Sequence, residues 1–119
     1  MRDHRKLRAF ELADQVALAV YKATKMFPRD EMFGLTSQMR RAAVSVASNI
    51  VEGCARQSKA DYLRFLDMAF GSARELDYQI TLSSRLGYLE QTPGAELAAL
   101  SDESLKVLNG LIRSLRLDS

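Results

Sequence analysis

Tryptophan is absent from this sequence, and histidine and cysteine occur once each. A single thiol, Cys54, excludes an intramolecular disulfide. A lone imidazole, His4, rules out the di-metal carboxylate centre of helical bundles, which takes Glu-x-x-His pairs from two facing helices. One Cys and one His also leave a zinc site short of its usual ligands. Two prolines and six glycines supply little material for long loops. No apolar run approaches the roughly 20 residues of a membrane span. The opening, Met1 to Lys6, is charged, and Arg8 follows directly on Leu7, so no apolar leader core is present and the cytoplasm is the expected address. Charge of one sign is lacking too. Seventeen basic side chains face 15 acidic ones, a net charge of +2. That balance does not by itself call for a polyanionic partner.

Catalytic signatures are equally scarce. Cys54 follows the end of a helix, where the dipole disfavours a thiolate, and has no nearby histidine as base. Glu52, Asp67, Glu75 and Asp77 are either an acid–base set or the ion-pair partners of Arg40, Arg41, Arg64 and Arg74, and the second reading is favoured. Gly71-Ser72 sits in the middle of a helix and cradles no phosphate, and no dinucleotide or P-loop fingerprint occurs. No catalytic residue, metal or cofactor is therefore expected.

What the sequence does contain is helical periodicity, with 47% hydrophobic and 27% charged residues. Four segments show spacings of three and four, and no segment alternates as a strand does. The spacing predicts helices over 7–27, 35–52, 58–86 and 93–117. Phe10, Ala13, Ala17, Val20, Thr24 and Phe27 line the first, with Leu12, Val16, Ala19, Ala23 and Met26 beside them, and Pro28 stops it. Leu35, Met39, Ala42, Val46 and Ile50 line the second, with Gly53 as the expected left-handed cap. Ser58 caps the third, whose stripe is Tyr62, Leu66, Ala69, Ala73, Leu76, Ile80 and Ser83. Thr92-Pro93 opens the fourth, lined by Leu97, Leu100, Leu108, Leu111 and Leu115. Short links between long helices make neighbours antiparallel. The expected fold is thus a single all-α domain over 1–119, an up-down-up-down four-helix bundle. Phe65, Met68, Phe70 and Tyr78 fall outside the core stripe of the third helix. So much apolar surface on so small a domain points to self-association.

Two polar groupings remain. Arg2, Arg5, Lys6 and Arg8 form a basic arm, and Arg40, Arg56, Lys59 and Arg64 are read as bracketing the turn between the second and third helices. Together they are candidate phosphate contacts for a nucleic acid, with Tyr62 and Phe65 near enough to stack on bases. The competing reading places Tyr62 in the core and the arginines in ion pairs. Gln38, Arg41, Ser45, Ser48, Asn49 and Glu52 recur at three and four along the second helix, with Glu75 a candidate partner for Arg41. They are read as a polar network that fixes register within the bundle or between subunits.

The run Gly34-Leu35-Thr36-Ser37-Gln38-Met39-Arg40-Arg41-Ala42-Ala43-Val44-Ser45-Val46-Ala47-Ser48-Asn49-Ile50-Val51-Glu52-Gly53 closely resembles the signature of the 23S rRNA-intervening sequence protein family. Tyr62 to Leu66, Ala69 to Leu76 and Leu86-Gly87-Tyr88 continue the likeness, which spans about residues 7 to 90. The sequence departs from the family pattern at Ala47, where proline is common, and at Cys54-Ala55. The resemblance implies an antiparallel four-helix bundle that assembles as a ring-like homopentamer. It also implies an association with structured RNA or other nucleic acid. A related branch is the accessory protein of diversity-generating retroelements, which partners a nucleic-acid enzyme. The functional expectation is a non-catalytic homo-oligomer that binds nucleic acid. The alternative is a protein-interaction scaffold for such an enzyme, with no RNA contact of its own.

Overall fold

A computed structural model describes residues 2–118. Its helices are α1 (Arg8–Thr24), α2 (Leu35–Cys54), α3 (Lys59–Arg85) and α4 (Gln91–Leu117), with short 3-10 turns at His4–Lys6 and Arg29–Glu31. Each helix packs on the next and α4 closes on α1. Side chains and backbone fix the directions. Arg40 on α2 reaches Thr24 at the end of α1, while the backbone N–H of Arg2, just before α1, donates to the Cys54 carbonyl at the end of α2 (3.3 Å). Ser83 near the end of α3 meets Met39 near the start of α2, and Arg116 near the end of α4 pairs with Asp67 early in α3. All four neighbours are therefore antiparallel, in a bundle 46 × 24 × 20 Å.

The core has two halves. Around the N-terminal arm, Ala9, Ala13, Val46, Ile50, Leu66, Ala69, Ala73 and Leu108 pack together. At the opposite end, Val16, Val20, Phe27, Met39, Leu76, Ile80 and Leu97 do so. The apolar stripes read for α2 and α3 are buried throughout. On α4 the core face narrows. Leu97, Leu108 and Ile112 are buried, Ser101 and Ser104 take the positions between them, and Leu100, Leu111 and Leu115 stay partly open. No helix among the described residues is long and apolar enough to cross a membrane.

Three helix ends differ from the sequence expectation. The first helix stops at Thr24, three residues short of the expected Phe27. Its Oγ1 bonds back to the Val20 carbonyl (2.7 Å), and Lys25, Met26 and Phe27 turn away from the axis. That return bond competes with helix continuation. Gly53 is not a left-handed cap but lies inside the last turn of α2, which runs to Cys54. A Cβ there would stand 3.0 Å from Phe65 Cβ and 3.3 Å from the Tyr62 carbonyl oxygen, so glycine is used for close helix approach. The fourth helix starts at Gln91, with Glu90 as cap, which puts Pro93 at its third position. Proline costs nothing there, because the first four amides have no intrahelical acceptor. Ala47 lies within an uninterrupted α2.

Other ends follow the sequence. Ser58 Oγ accepts from the Asp61 N–H at 3.1 Å. Gly87, with φ of 79°, is the left-handed residue after α3. The N–H of Tyr88 donates to the Ser83 carbonyl and that of Gly87 to the Ser84 carbonyl, the paired bonds of a Schellman turn.

Candidate nucleic-acid interface

The expected phosphate contacts fall into two places. Arg2, Arg5, Lys6, Arg8, Arg56, Lys59 and Arg64 gather where the arm crosses the turn between α2 and α3. Arg40 stands apart, about 21 Å further along α2 from Cys54 at 1.5 Å per residue.

At the arm end most cations are already engaged. Arg5 binds Asp3 at 3.0 Å and holds that carboxyl below its ordinary value. Arg56 binds Glu52 at 2.6 Å, Arg8 faces Glu103 at 3.6 Å and Arg64 faces Asp61 at 3.7 Å. Lys59 donates to the Asp118 carbonyl. Arg2 lies 4.0 Å above the Tyr62 ring and donates to the Arg56 carbonyl at 2.8 Å, strapping the arm to the bundle. Arg56 and Arg64 flank the Phe65 ring at 4.6 and 4.7 Å. Lys6 is exposed, with no carboxylate within ion-pair distance among the described residues. Tyr62 itself is 3% exposed, so its ring serves the core and is not offered to a base.

Burial, with Cys54 beside it, pushes the Tyr62 phenol up to about 12 from an ordinary 10. Burial also raises the Cys54 thiol, which excludes a reactive thiolate near neutral pH. Both folded-state values lie above the unfolded ones. The stability they contribute is present at neutral pH and is lost as pH rises into this window. Thermal melts are expected to fall between about pH 10 and 12 as the phenol ionises preferentially in the unfolded chain. Tyr62→Phe should show a shallower fall over the same interval, and absorbance at the tyrosinate band reads the ionisation directly.

The second place was not anticipated as a unit. The end of α1, the 3-10 turn and the start of α2 enclose a groove of about 600 Å³. Tyr21, Lys25, Arg29, Phe33, Arg40 and Arg41 line it, with Thr36 and Ser37 from the first turn of α2. No carboxylate is among its lining residues. Asp30 and Glu31 belong to the same turn but are not part of the wall. Glu31 accepts from the Leu35 N–H at 3.0 Å and the Tyr88 hydroxyl at 2.9 Å, capping α2 from the α3 side. Arg40 is fixed in place, donating from Nε to Thr24 Oγ1 at 2.9 Å with its guanidinium 4.7 Å from the Tyr21 ring centroid. Phe33 is 94% exposed. The signal for this groove was present as Lys25-Met26-Phe27-Pro28-Arg29 and Met32-Phe33, where apolar side chains interrupt cations within a connection.

The residues read as a polar network separate into three parts. Ser45 Oγ meets Ser72 Oγ at 2.8 Å, and Asn49 donates to the Ser45 carbonyl and hydroxyl at 2.9 and 3.0 Å. Gln38, Arg41 and Glu75 stand around the same shallow α2–α3 groove, of about 420 Å³. Within the single chain Arg41 and Glu75 are not an ion pair. Glu75 instead accepts from Gln79 Nε2 at 3.3 Å, while the buried Gln79 Oε1 has no partner. Glu52 belongs to Arg56, nearer the arm. Ser48 is exposed on the outer face of α2. Among the described residues no group of His, Cys, Asp and Glu is placed to hold a metal ion.

No curated protein matches the chain. Among solved structures it is similar to a protein of unknown function from the S23 ribosomal protein family of Bacteroides thetaiotaomicron. That match has a TM-score of 0.80 at 24% identity and covers 88% of this chain and 95% of the other. At that identity the match speaks to the bundle alone. Membership comes from the sequence: the family model for the 23S rRNA-intervening sequence protein matches residues 5–110, from the arm through most of α4, and the chain belongs to that family.

Proposed function

We propose that this chain is a non-catalytic, self-associating protein that binds structured RNA or another nucleic acid. The observation that carries the reading is the α1–α2 groove: four cations, no carboxylate in the wall, and the rings of Tyr21 and Phe33 beside them. Cations without acidic neighbours attract phosphates that an internally paired surface does not. The arm end adds Lys6 and Arg2 at the other pole of the bundle. Repetition of both surfaces in an assembly multiplies weak contacts through effective concentration. Titration of a labelled RNA hairpin across a salt series, with duplex DNA as control, tests the reading. Affinity that falls steeply with salt is the expected result. No binding at low salt by the intact assembly would sink it.

Self-association is supported by the α2–α3 groove. Among the described residues Arg41 and Glu75, which line it, have no ion-pair partner, and Gln79 Oε1, one turn along α3 from Glu75, has no donor. Exposed Val44, Met68 and Tyr78 lie three or four residues from Arg41, Ser72 and Glu75 on their helices, hence on the same faces. A neighbouring copy that supplies the missing charges completes the network, in a ring-like assembly such as a homopentamer. Glu75→Ala is expected to lower the oligomer mass in sedimentation or light scattering while leaving helix content intact. Unchanged mass and unchanged melting would reject the role. These same exposed side chains favour the second reading, a scaffold or accessory subunit for a nucleic-acid enzyme that touches no RNA itself.

A further inference from the structure

Resting on the nucleic-acid reading, we infer that the α1–α2 groove takes an unpaired nucleotide segment, with its bases stacked on Phe33 and its phosphates on the cations behind. A duplex turns its base faces inward and offers proteins phosphates, sugars and groove edges. An aromatic ring gains nothing from such a surface, whereas an unpaired strand presents a π-face at every base. Phe33 is the most exposed large apolar side chain among the described residues, at 94%, and stands at the rim of the one groove described here that combines four cations with no acid. A solvent-facing phenylalanine in a helical linker has no packing role in the single chain. A stacking platform gives it one.

The wall behind the ring suits a phosphate. Thr36 and Ser37 lie in the first turn of α2, where backbone amides have no intrahelical acceptor and the helix dipole favours negative charge. Arg40 is held by Thr24 and Tyr21, so its charge is already ordered before a ligand arrives. Lys25, Arg29 and Arg41 carry no ion-pair partner among the described residues and remain available. A rigid centre with mobile cations around it is a sequence-tolerant grip, since phosphates and π-faces recur at every nucleotide.

A labelled 12-nucleotide RNA, tested alone and annealed to its complement, separates this inference from the broader one. The single strand is expected to bind more tightly than the duplex. Phe33→Ala should weaken the single strand about tenfold and the duplex hardly at all, since stacking on one aromatic contributes roughly 1–3 kcal/mol per base. Phe33→Trp should restore the affinity. Because the ring is exposed, all variants should melt as the parent does. Equal binding of both RNAs, or no effect of Phe33→Ala, would overturn the inference and leave nucleic-acid binding standing. Absence of binding by either RNA would remove the functional reading as well. A fall in oligomer mass on Phe33→Ala, with affinity per assembled ring unchanged, would assign the ring to a protein contact and likewise overturn it.

Discussion

Leu66→Ala is expected to lower the unfolding free energy by about 3–5 kcal/mol, a large share of the ~5–15 kcal/mol that holds a domain of this size. Leu66 is wholly buried in the arm-end half of the core, against Ile50 on α2 and Leu108 on α4. The cost of such a truncation depends on whether neighbours can move in to fill the hole. Here they cannot move far. Ala9, Ala13, Ala69 and Ala73 belong to the same half of the core, and α2 approaches α3 so closely at Gly53 that even a Cβ there would stand 3.0–3.3 Å from Phe65 and Tyr62. Backbones that touch through small side chains have no slack left, so the cavity persists. The expectation therefore sits in the upper part of the range for leucine truncations. Leu18→Ala on the outer face of α1, at 63% exposure, should change stability by less than about 0.5 kcal/mol. Urea unfolding followed by circular dichroism, at one protein concentration so that assembly does not shift the result, reads both.

The same close packing explains why the middle of the bundle was legible in the sequence and its ends less so. On α2 and α3 every residue of the apolar stripes is buried, because a helix between two neighbours must hide one face and hydrophobic period reports that face directly. Thr24, Gly53 and Pro93 sit where local chemistry admits two outcomes. Glycine after a helical run is consistent with a left-handed cap and with close packing, and only the ring of Tyr62 and the stem of Phe65 across the gap decide between them. Proline three positions into α4 is as harmless as at the first, so it marks a helix start without fixing it.

The candidate site divides along similar lines. Sequence proximity brought Arg2, Arg5, Lys6, Arg8, Arg56, Lys59 and Arg64 into view together, and the fold does bring them to one end. Their partners were the hidden part. Asp3 and Glu52 are local and readable, but Glu103 arrives from α4 and the Asp118 carbonyl from the residue just after it, some 95 and 59 positions away. Conversely, the groove at the far end draws its wall from α1, the turn and α2, and its character comes from an absence, that of acidic side chains. Motif reading registers residues that are present in a row. It does not register that Glu31, beside Phe33's turn, faces Tyr88 and Leu35 instead of the groove. Arg41, read as a network residue, lines both grooves, so the surfaces proposed for self-association and for nucleic acid meet along α2.

Lys25→Glu combined with Arg29→Glu is expected to weaken RNA binding by about 100-fold or more at physiological salt. Hydrogen bonds to charged groups contribute roughly 1.5–3 kcal/mol each, and tenfold in affinity corresponds to about 1.4 kcal/mol. Both side chains line the groove, both are exposed, and neither has an ion-pair partner within the described chain, so reversal disturbs no internal contact. Arg40 is avoided because Thr24 and Tyr21 depend on it, and Arg41 because it also borders the α2–α3 groove. The neutral pair Lys25→Ala and Arg29→Ala should lower the slope of log affinity against log salt by about 1.4, at roughly 0.7 per phosphate contact on a single strand. The matched control reverses Arg5 and Lys6 on the arm, where Arg5 is already neutralised by Asp3. Loss concentrated in the groove variant would place the phosphates between α1 and α2. Loss concentrated in the arm variant would return them to the end that the sequence first suggested, with the arm's interleaved carboxylates, Asp3, Glu52 and Asp61, displaced by the incoming strand. Oligomer mass must match the parent in each case, because any assembly that falls apart loses avidity without losing a contact.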